Sequence, residues 1–224
     1  MTTESPSTTT PSITKDTTLL VFVVDRSGSM VTIQDDMQGG IVSTLQERSG
    51  TDTVVTLAQF DSDYELVAEL TPIDQLHPYR LVPRGNTALL DAIGRTITTT
   101  KHWLEEQPEA LRPERVMVVV VTDGMENASR EWTHLQVMDS VRARMEEGWN
   151  FTFLGANQDA IEEGQKMGFR EQDSMTYRAS SRGVDGAFDG VKSKMQRAYS
   201  MPAEEMNSIA FSKIERSLAM GEEE

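Results

Sequence analysis

The side chains best suited to chemistry in this chain are oxygen donors. Asp25, Ser27 and Ser29 fall within five residues, in the run Asp25-Arg26-Ser27-Gly28-Ser29. Asp123 stands before Gly124, and Thr87 follows Gly85 and Asn86. Singly, each has an ordinary reading. Asp-Gly is a common turn at a strand end, and a threonine ahead of a helix is a common N-cap. Together they form a set of hard oxygen donors without sulfur or imidazole. Such a set suits Mg2+, or Mn2+ or Ca2+ in its place, because hard cations take oxygen ligands and Mg2+ keeps several of its waters.

The elements that would bring these residues together are legible as apolar patterns. Six apolar residues, 19–24, run up to Asp25. A run of that kind suits a strand buried on both faces, as in a parallel sheet covered by helices. After it, Met30, Ile33, Met37, Ile41 and Leu45 recur at the spacing of one helix face. RVMVVVVT, residues 115–122, is a second buried strand and ends at Asp123, and residues 149–156 form a third. Residues 53–60 and 64–70, separated by Asp61-Ser62-Asp63, read as an antiparallel hairpin. Helices are expected from about Thr87, around Trp132 to Met145, over 158–167 and around Phe188 to Tyr199, with a short edge strand at 175–179. The alternation is that of an α/β protein. It places Asp25, Ser27, Ser29, Thr87 and Asp123 at one edge of a parallel sheet, where open α/β sheets bind ligands. Asp61, Asp63 and Glu65 imitate the start of a calcium loop. However, Leu66 and Pro72 stand where that loop needs its glycine and its closing glutamate, so turn acidity is the better account.

Composition narrows the function. The chain has 224 residues and a net charge of −15, from 21 basic and 36 acidic side chains. That balance argues against nucleic acid and against an anionic membrane surface as partners. No run approaches a membrane span, no leader-like segment is visible, and a cytoplasmic setting is expected. The lack of cysteine excludes disulfides and thiolate metal sites. The Ser/Thr/Pro-rich residues 1–16 read as a disordered tail, 17–200 as one domain, and 201–224 as a C-terminal helix with an acidic end. That helix, with Met206, Ile209, Phe211, Ile214 and Leu218 in its apolar stripe, would cap the domain or reach for a partner. The three histidines lack zinc spacing, no phosphate-cradling glycine motif is present, and neither serine sits in a hydrolase context.

Asp25-x-Ser27-x-Ser29, with Thr87 and Asp123 at a distance, resembles the von Willebrand factor A-type (vWA) domain family with its metal-ion-dependent adhesion site (MIDAS). The resemblance runs over about residues 17–199, and within the family it is closest to compact bacterial or phage intracellular members, including those of tellurium-resistance clusters. Asn86 stands where the family often has a second glycine. The resemblance implies a three-layer, doubly wound, Rossmann-like fold with strand order 3-2-1-4-5-6 and an antiparallel third strand. It implies that Ser27, Ser29 and Thr87 contact the metal while Asp25 and Asp123 act largely through water. Gly28 would let the backbone turn close to the ion, and Met125, Glu126 and Asn127 would line the rim. The implied function is non-catalytic: the bound Mg2+ takes a Glu or Asp carboxylate from a partner protein. Two other readings are a chelatase-like subunit of an ATPase-coupled complex, docked through 203–220, and a Mg2+-dependent phosphatase with Asp25 as nucleophile. The phosphatase needs an acid two residues on, and Ser27 cannot deliver a proton at neutral pH.

Overall fold

The computed structural model describes residues 13–156 and 159–222. Its centre is β1 (Thr18–Asp25), every residue of which is buried. β1 pairs in parallel with β2 (Thr53–Phe60) on one side and β4 (Arg115–Thr122) on the other. β3 (Tyr64–Pro72) returns antiparallel to β2 at one edge. β5 (Asn150–Ala156) and β6 (Ser174–Tyr177) continue the sheet in parallel beyond β4. The order is β3-β2-β1-β4-β5-β6. The mostly parallel sheet, the antiparallel hairpin strand and the six-strand order all match the expectation.

Strand alternation divides the apolar residues between two cores. Leu20, Phe22 and Val24 face α1 (Gln34–Gln46) and α5 (Ser181–Tyr199), through Met37, Ile41, Phe188 and Val191. Leu19, Val21 and Val23 face α2 (Leu89–Glu106), α3 (His134–Glu146) and α4 (Ala160–Lys166), through Ile93, Ile97, Val137, Val141 and Ala160. The result is three layers, with β1 sealed between them. In register, Asp25 pairs with Phe60 and Val24 with Val121, so the loops after β1, β2 and β4 emerge at the same edge.

Several boundaries differ from the periodicity. The chain after Asp25 first makes a 3-10 turn, Gly28–Ile33, before α1 begins. Thr87 lies ahead of α2, whose first residue is Leu89 and whose N-cap position is Ala88. α4 starts after Asp159, whose carboxylate accepts from the Ile161 and Glu162 amides; Gln158 lies outside the described residues. β6 stops at Tyr177 because the Arg178 amide turns aside to the Ala219 carbonyl. Of the Ser/Thr/Pro-rich stretch, residues 1–12 lie outside the described residues. Ile13 packs on the α2 side of the core, and the Lys15 carbonyl accepts from the Glu114 amide at 3.0 Å.

The expected long C-terminal helix is two short pieces. A 3-10 turn, Ala203–Ser208, gives way to extended chain and then α6 (Lys213–Ala219). Ser212 and Glu215 form a reciprocal capping box that starts α6 afresh. Breaking the helix lets Met206, Ile209 and Phe211 all reach the core, while Ile214 remains 63% exposed. α6 lies so close to α5 that a Cβ on Gly186 would come 2.4 Å from the Leu218 carbonyl oxygen. Among the described residues no helix is long and apolar enough to cross a membrane.

That close approach predicts the effect of Gly186→Ala. The new methyl meets backbone and not a flexible side chain, so the variant should lose about 1–3 kcal/mol of stability. Urea unfolding checks this, as a lower midpoint at unchanged slope.

Candidate metal site

The site is built around a carboxylate that the fold buries. Asp25 closes β1 and is fully buried. Its Oδ1 accepts from the Ser27 amide at 2.6 Å, and its Oδ2 from the Thr122 hydroxyl at 2.6 Å. These bonds set the direction of the 25–29 loop and tie the end of β1 to the end of β4. Even so, burial pushes the Asp25 carboxyl up to about 6, against the opposing pull of Thr122 and Ser27. Burial also raises the Asp123 carboxyl. At about 1.4 kcal/mol per unit, keeping Asp25 ionised at neutral pH costs roughly 3 kcal/mol.

Around these carboxylates the hydroxyls converge. Ser27 Oγ and Ser29 Oγ are 3.0 Å apart, and the Ser29 hydroxyl donates to Asp123 Oδ1 at 2.6 Å. Thr87 arrives from the other side. A Cβ placed on Gly124 would lie 2.9 Å from Thr87 Oγ1, 3.6 Å from Ser29 Oγ and 3.7 Å from Ser27 Oγ. One point therefore has three neutral oxygens around it, in space that any side chain at position 124 would fill. All five expected residues, Asp25, Ser27, Ser29, Thr87 and Asp123, meet at this edge. Among the described residues no three His, Cys, Asp or Glu side chains cluster as a metal site, so the donor set here is hydroxyl-centred. Three hydroxyls backed by two reluctant carboxylates fit a hard dication, which would draw the oxygens inward and favour the ionised acids.

The glycine the geometry requires is Gly124. Gly28 has an ordinary backbone conformation, and a Cβ on it would meet only the Gly85 carbonyl at 3.5 Å. The Gly28 amide instead donates to that carbonyl at 3.1 Å, while the Arg84 amide donates to the Arg26 carbonyl at 2.7 Å. These two bonds join the Ser27–Ser29 loop to the stretch that carries Thr87.

The expected rim is partly a brace. Met125 is 64% exposed beside Gly124. Glu126, by contrast, turns its carboxylate to the Leu90, Ala128 and Ser129 amides, capping the start of α2 from a neighbouring loop. Asn127 Oδ1 accepts from the Thr87 amide at 3.0 Å, and the Asn127 amide donates to the Thr87 carbonyl at 3.0 Å. Thr87 is thus held by its backbone from the Asp123 loop and is not spent as an N-cap. Asp91 completes the brace by accepting from the Arg130, Glu131 and Trp132 amides. The acidic turn after β2 holds no calcium loop: Asp61 accepts from Arg26 and Arg84, and Glu65 from Arg26. Sequence reasoning missed Asp61, Thr122 and Gly124 as parts of this site. The signal available was the β1–β2 register, which sets the residue after Phe60 beside the residue after Asp25.

No sequence-family model and no curated protein matches the chain. Solved structures do match its fold. Proximal thread matrix protein 1 from the mussel byssus, solved with a zinc-occupied MIDAS motif, is 13% identical over 79% of this chain and 47% of its own, with a TM-score of 0.57. The vWF domain of the pilus tip protein Mfa5 from Porphyromonas gingivalis is 10% identical over 84% of this chain and 98% of its own, with a TM-score of 0.60. A von Willebrand factor type A protein from Catenulispora acidiphila is 15% identical over 80% of this chain and 42% of its own, with a TM-score of 0.56. This chain therefore spans less than half the length of the mussel and Catenulispora proteins. At such identities the likeness speaks for architecture, and it agrees with the strand order: this chain has the von Willebrand factor A-type fold.

Proposed function

We propose that the chain is a non-catalytic, metal-dependent protein-binding module. Ser27, Ser29 and Thr87 would hold Mg2+, and the ion would supply the binding centre for a Glu or Asp carboxylate of a partner protein. The observation that carries this reading is the ring of three hydroxyl oxygens around the space a Gly124 Cβ would occupy. Neutral oxygens do not quench a divalent charge as carboxylates would, so the bound ion supplies an electrophilic centre for an incoming carboxylate. The chain's own residues do the rest. Asp25 fixes the Ser27 backbone, Asp123 accepts a hydrogen bond from the Ser29 hydroxyl, and Asn127 sets the backbone of Thr87. Hard donors favour Mg2+ or Mn2+ here, although the mussel protein's site was solved with zinc.

Two features favour binding over the other readings. Ser27 sits where a phosphatase of the aspartyl-nucleophile kind would need an acid. Residues 203–220, the docking arm of an ATPase-coupled reading, are folded back with Met206, Ile209 and Phe211 buried. The proposed setting is intracellular, with the cell surface as the alternative raised by the pilus neighbours; fractionation of the host decides between them.

With Mg2+ or Mn2+ at a hundred times its dissociation constant, the unfolding free energy should rise by about 2.7 kcal/mol. Ser27→Ala and Thr87→Ala should each reduce the gain. Gly124→Ala, which keeps every donor but fills the cradle, should abolish it. Partner proteins captured in Mg2+ should be released by chelator and not retained by Gly124→Ala; capture that survives both refutes the reading.

The Asp25 carboxyl gives a pH signature. Its folded value of about 6 lies above the ordinary 3.8, so the metal-free fold favours the protonated acid. The stability this contributes is full below about pH 4 and is lost as pH rises through 6. In chelator, the unfolding free energy of the wild type relative to Asp25→Asn should fall by about 2 kcal/mol between pH 4 and 7. Mg2+ should flatten that fall, and its affinity should drop as the pH is lowered through 6.

A further inference from the structure

We propose that Asp61 is the positioning residue of the metal site, setting its affinity without touching the ion; this deepens the metal-binding reading and rests on it. Asp61 follows β2 at the edge where β1 delivers Asp25, and it is 2% exposed. Every polar atom it has is used. Oδ2 accepts from Arg26 Nε at 2.9 Å and from Arg84 Nε at 2.6 Å, and Oδ1 accepts from the Asp63 amide at 2.8 Å. Its carbonyl accepts from the Ala88 amide at 2.9 Å, and its own amide donates to the Asp63 carbonyl at 3.0 Å.

Two consequences follow for Thr87. Residues 84–88 are held on one side by Asn127 and on the other by this turn, because the Ser62 hydroxyl also accepts from the Asn86 amide at 3.2 Å. Gly85, at φ +69°, lies so close over Asp61 that a Cβ there would be 3.1 Å from the Asp61 Cβ. The loop therefore rests on Asp61 itself, and the position of the Thr87 hydroxyl depends on that seat.

The second consequence is electrostatic. Arg26 lies between Asp25 and Ser27 in the chain, and Arg84 three residues before Thr87. Both are guanidiniums in the loops that would hold a dication, and like charges in a partly buried setting repel. Asp61 is the carboxylate they share; Glu65 meets Arg26 from a far more exposed position. Asp61 thus keeps two permanent cations from opposing a third.

The test uses the full chain, stripped with chelator and titrated with Mn2+, reading free Mn2+ by electron paramagnetic resonance and stability by thermal unfolding in chelator. Asp61→Asn should weaken Mn2+ binding about tenfold or more, the scale seen when groups supporting metal ligands are removed. Melting in chelator should fall as well, because Arg26 loses a buried partner, so Mn2+ affinity is read well below the melting transition, where a merely structural role would leave it unchanged. Arg84→Gln added to Asp61→Asn removes the unbalanced exposed cation and should recover part of the lost affinity. Asp61→Asn binding Mn2+ within twofold of wild type overturns the proposal. If Asp61→Asn does not fold, Ser62→Ala carries the test: binding about threefold weaker at unchanged melting supports the loop seat, and unchanged binding overturns it. A wild-type chain that takes up no Mn2+ overturns the metal-site reading and this proposal with it.

Discussion

The end of a strand sealed on both faces is an expensive place for a negative charge, and Asp25 occupies it. The sheet tolerates the carboxylate because two short hydrogen bonds meet it, one from the Ser27 amide and one from the Thr122 hydroxyl. One comes from the loop that carries the serines and the other from the end of β4, the two pieces that the site needs to hold together. The residual strain in charge, visible as the upward displacement of the Asp25 carboxyl, points toward a cation at that edge. The neighbouring hydroxyls and the bare Cα of Gly124 leave space for one.

Around this centre the loops are interlocked chiefly by side chains bonding to the backbone of the next loop. α2 begins at Leu89 behind Ala88, which offers no side-chain cap, and Glu126 serves its first turn from across a gap of some 36 residues. Asp91, in the first turn of the same helix, returns the favour by holding 130–132. Trp132 then lies on Gly94, where a Cβ would collide with its ring. Loop and helix start are one unit. Local capping by Thr87 would have turned its hydroxyl toward the helix; the distant cap frees that hydroxyl for the cradle.

What could be read in advance was what depends on periodicity. The apolar runs of β1 and β4, the hairpin around Asp61-Ser62-Asp63 and the helix faces of α1 and α5 follow from spacing and burial alone. The five donor residues were legible because type and strand-end position coincide. The supports were hidden, since Asp61, Glu126 and Asn127 are ordinary polar loop residues until tertiary register says which amide each one faces. In the sequence Gly124 is a turn residue, and only the placement of Thr87 opposite it gives the missing side chain a meaning. The C-terminal stripe misled because helical spacing and 3-10-plus-extended chain can bury the same residues. The capping box at Ser212 was the cue that a new helix starts there.

The hydrogen bond from Ser29 to Asp123 joins points 94 residues apart, and it closes only after the intervening crossover has laid β4 beside β1. Loops of that span close slowly and late, because chain entropy must be surrendered before any long-range contact repays it. An ion can therefore have no template for its coordination in the early chain. It would act as a latch on a finished sheet: slowing the chain's escape from the native state while leaving the speed of its arrival untouched.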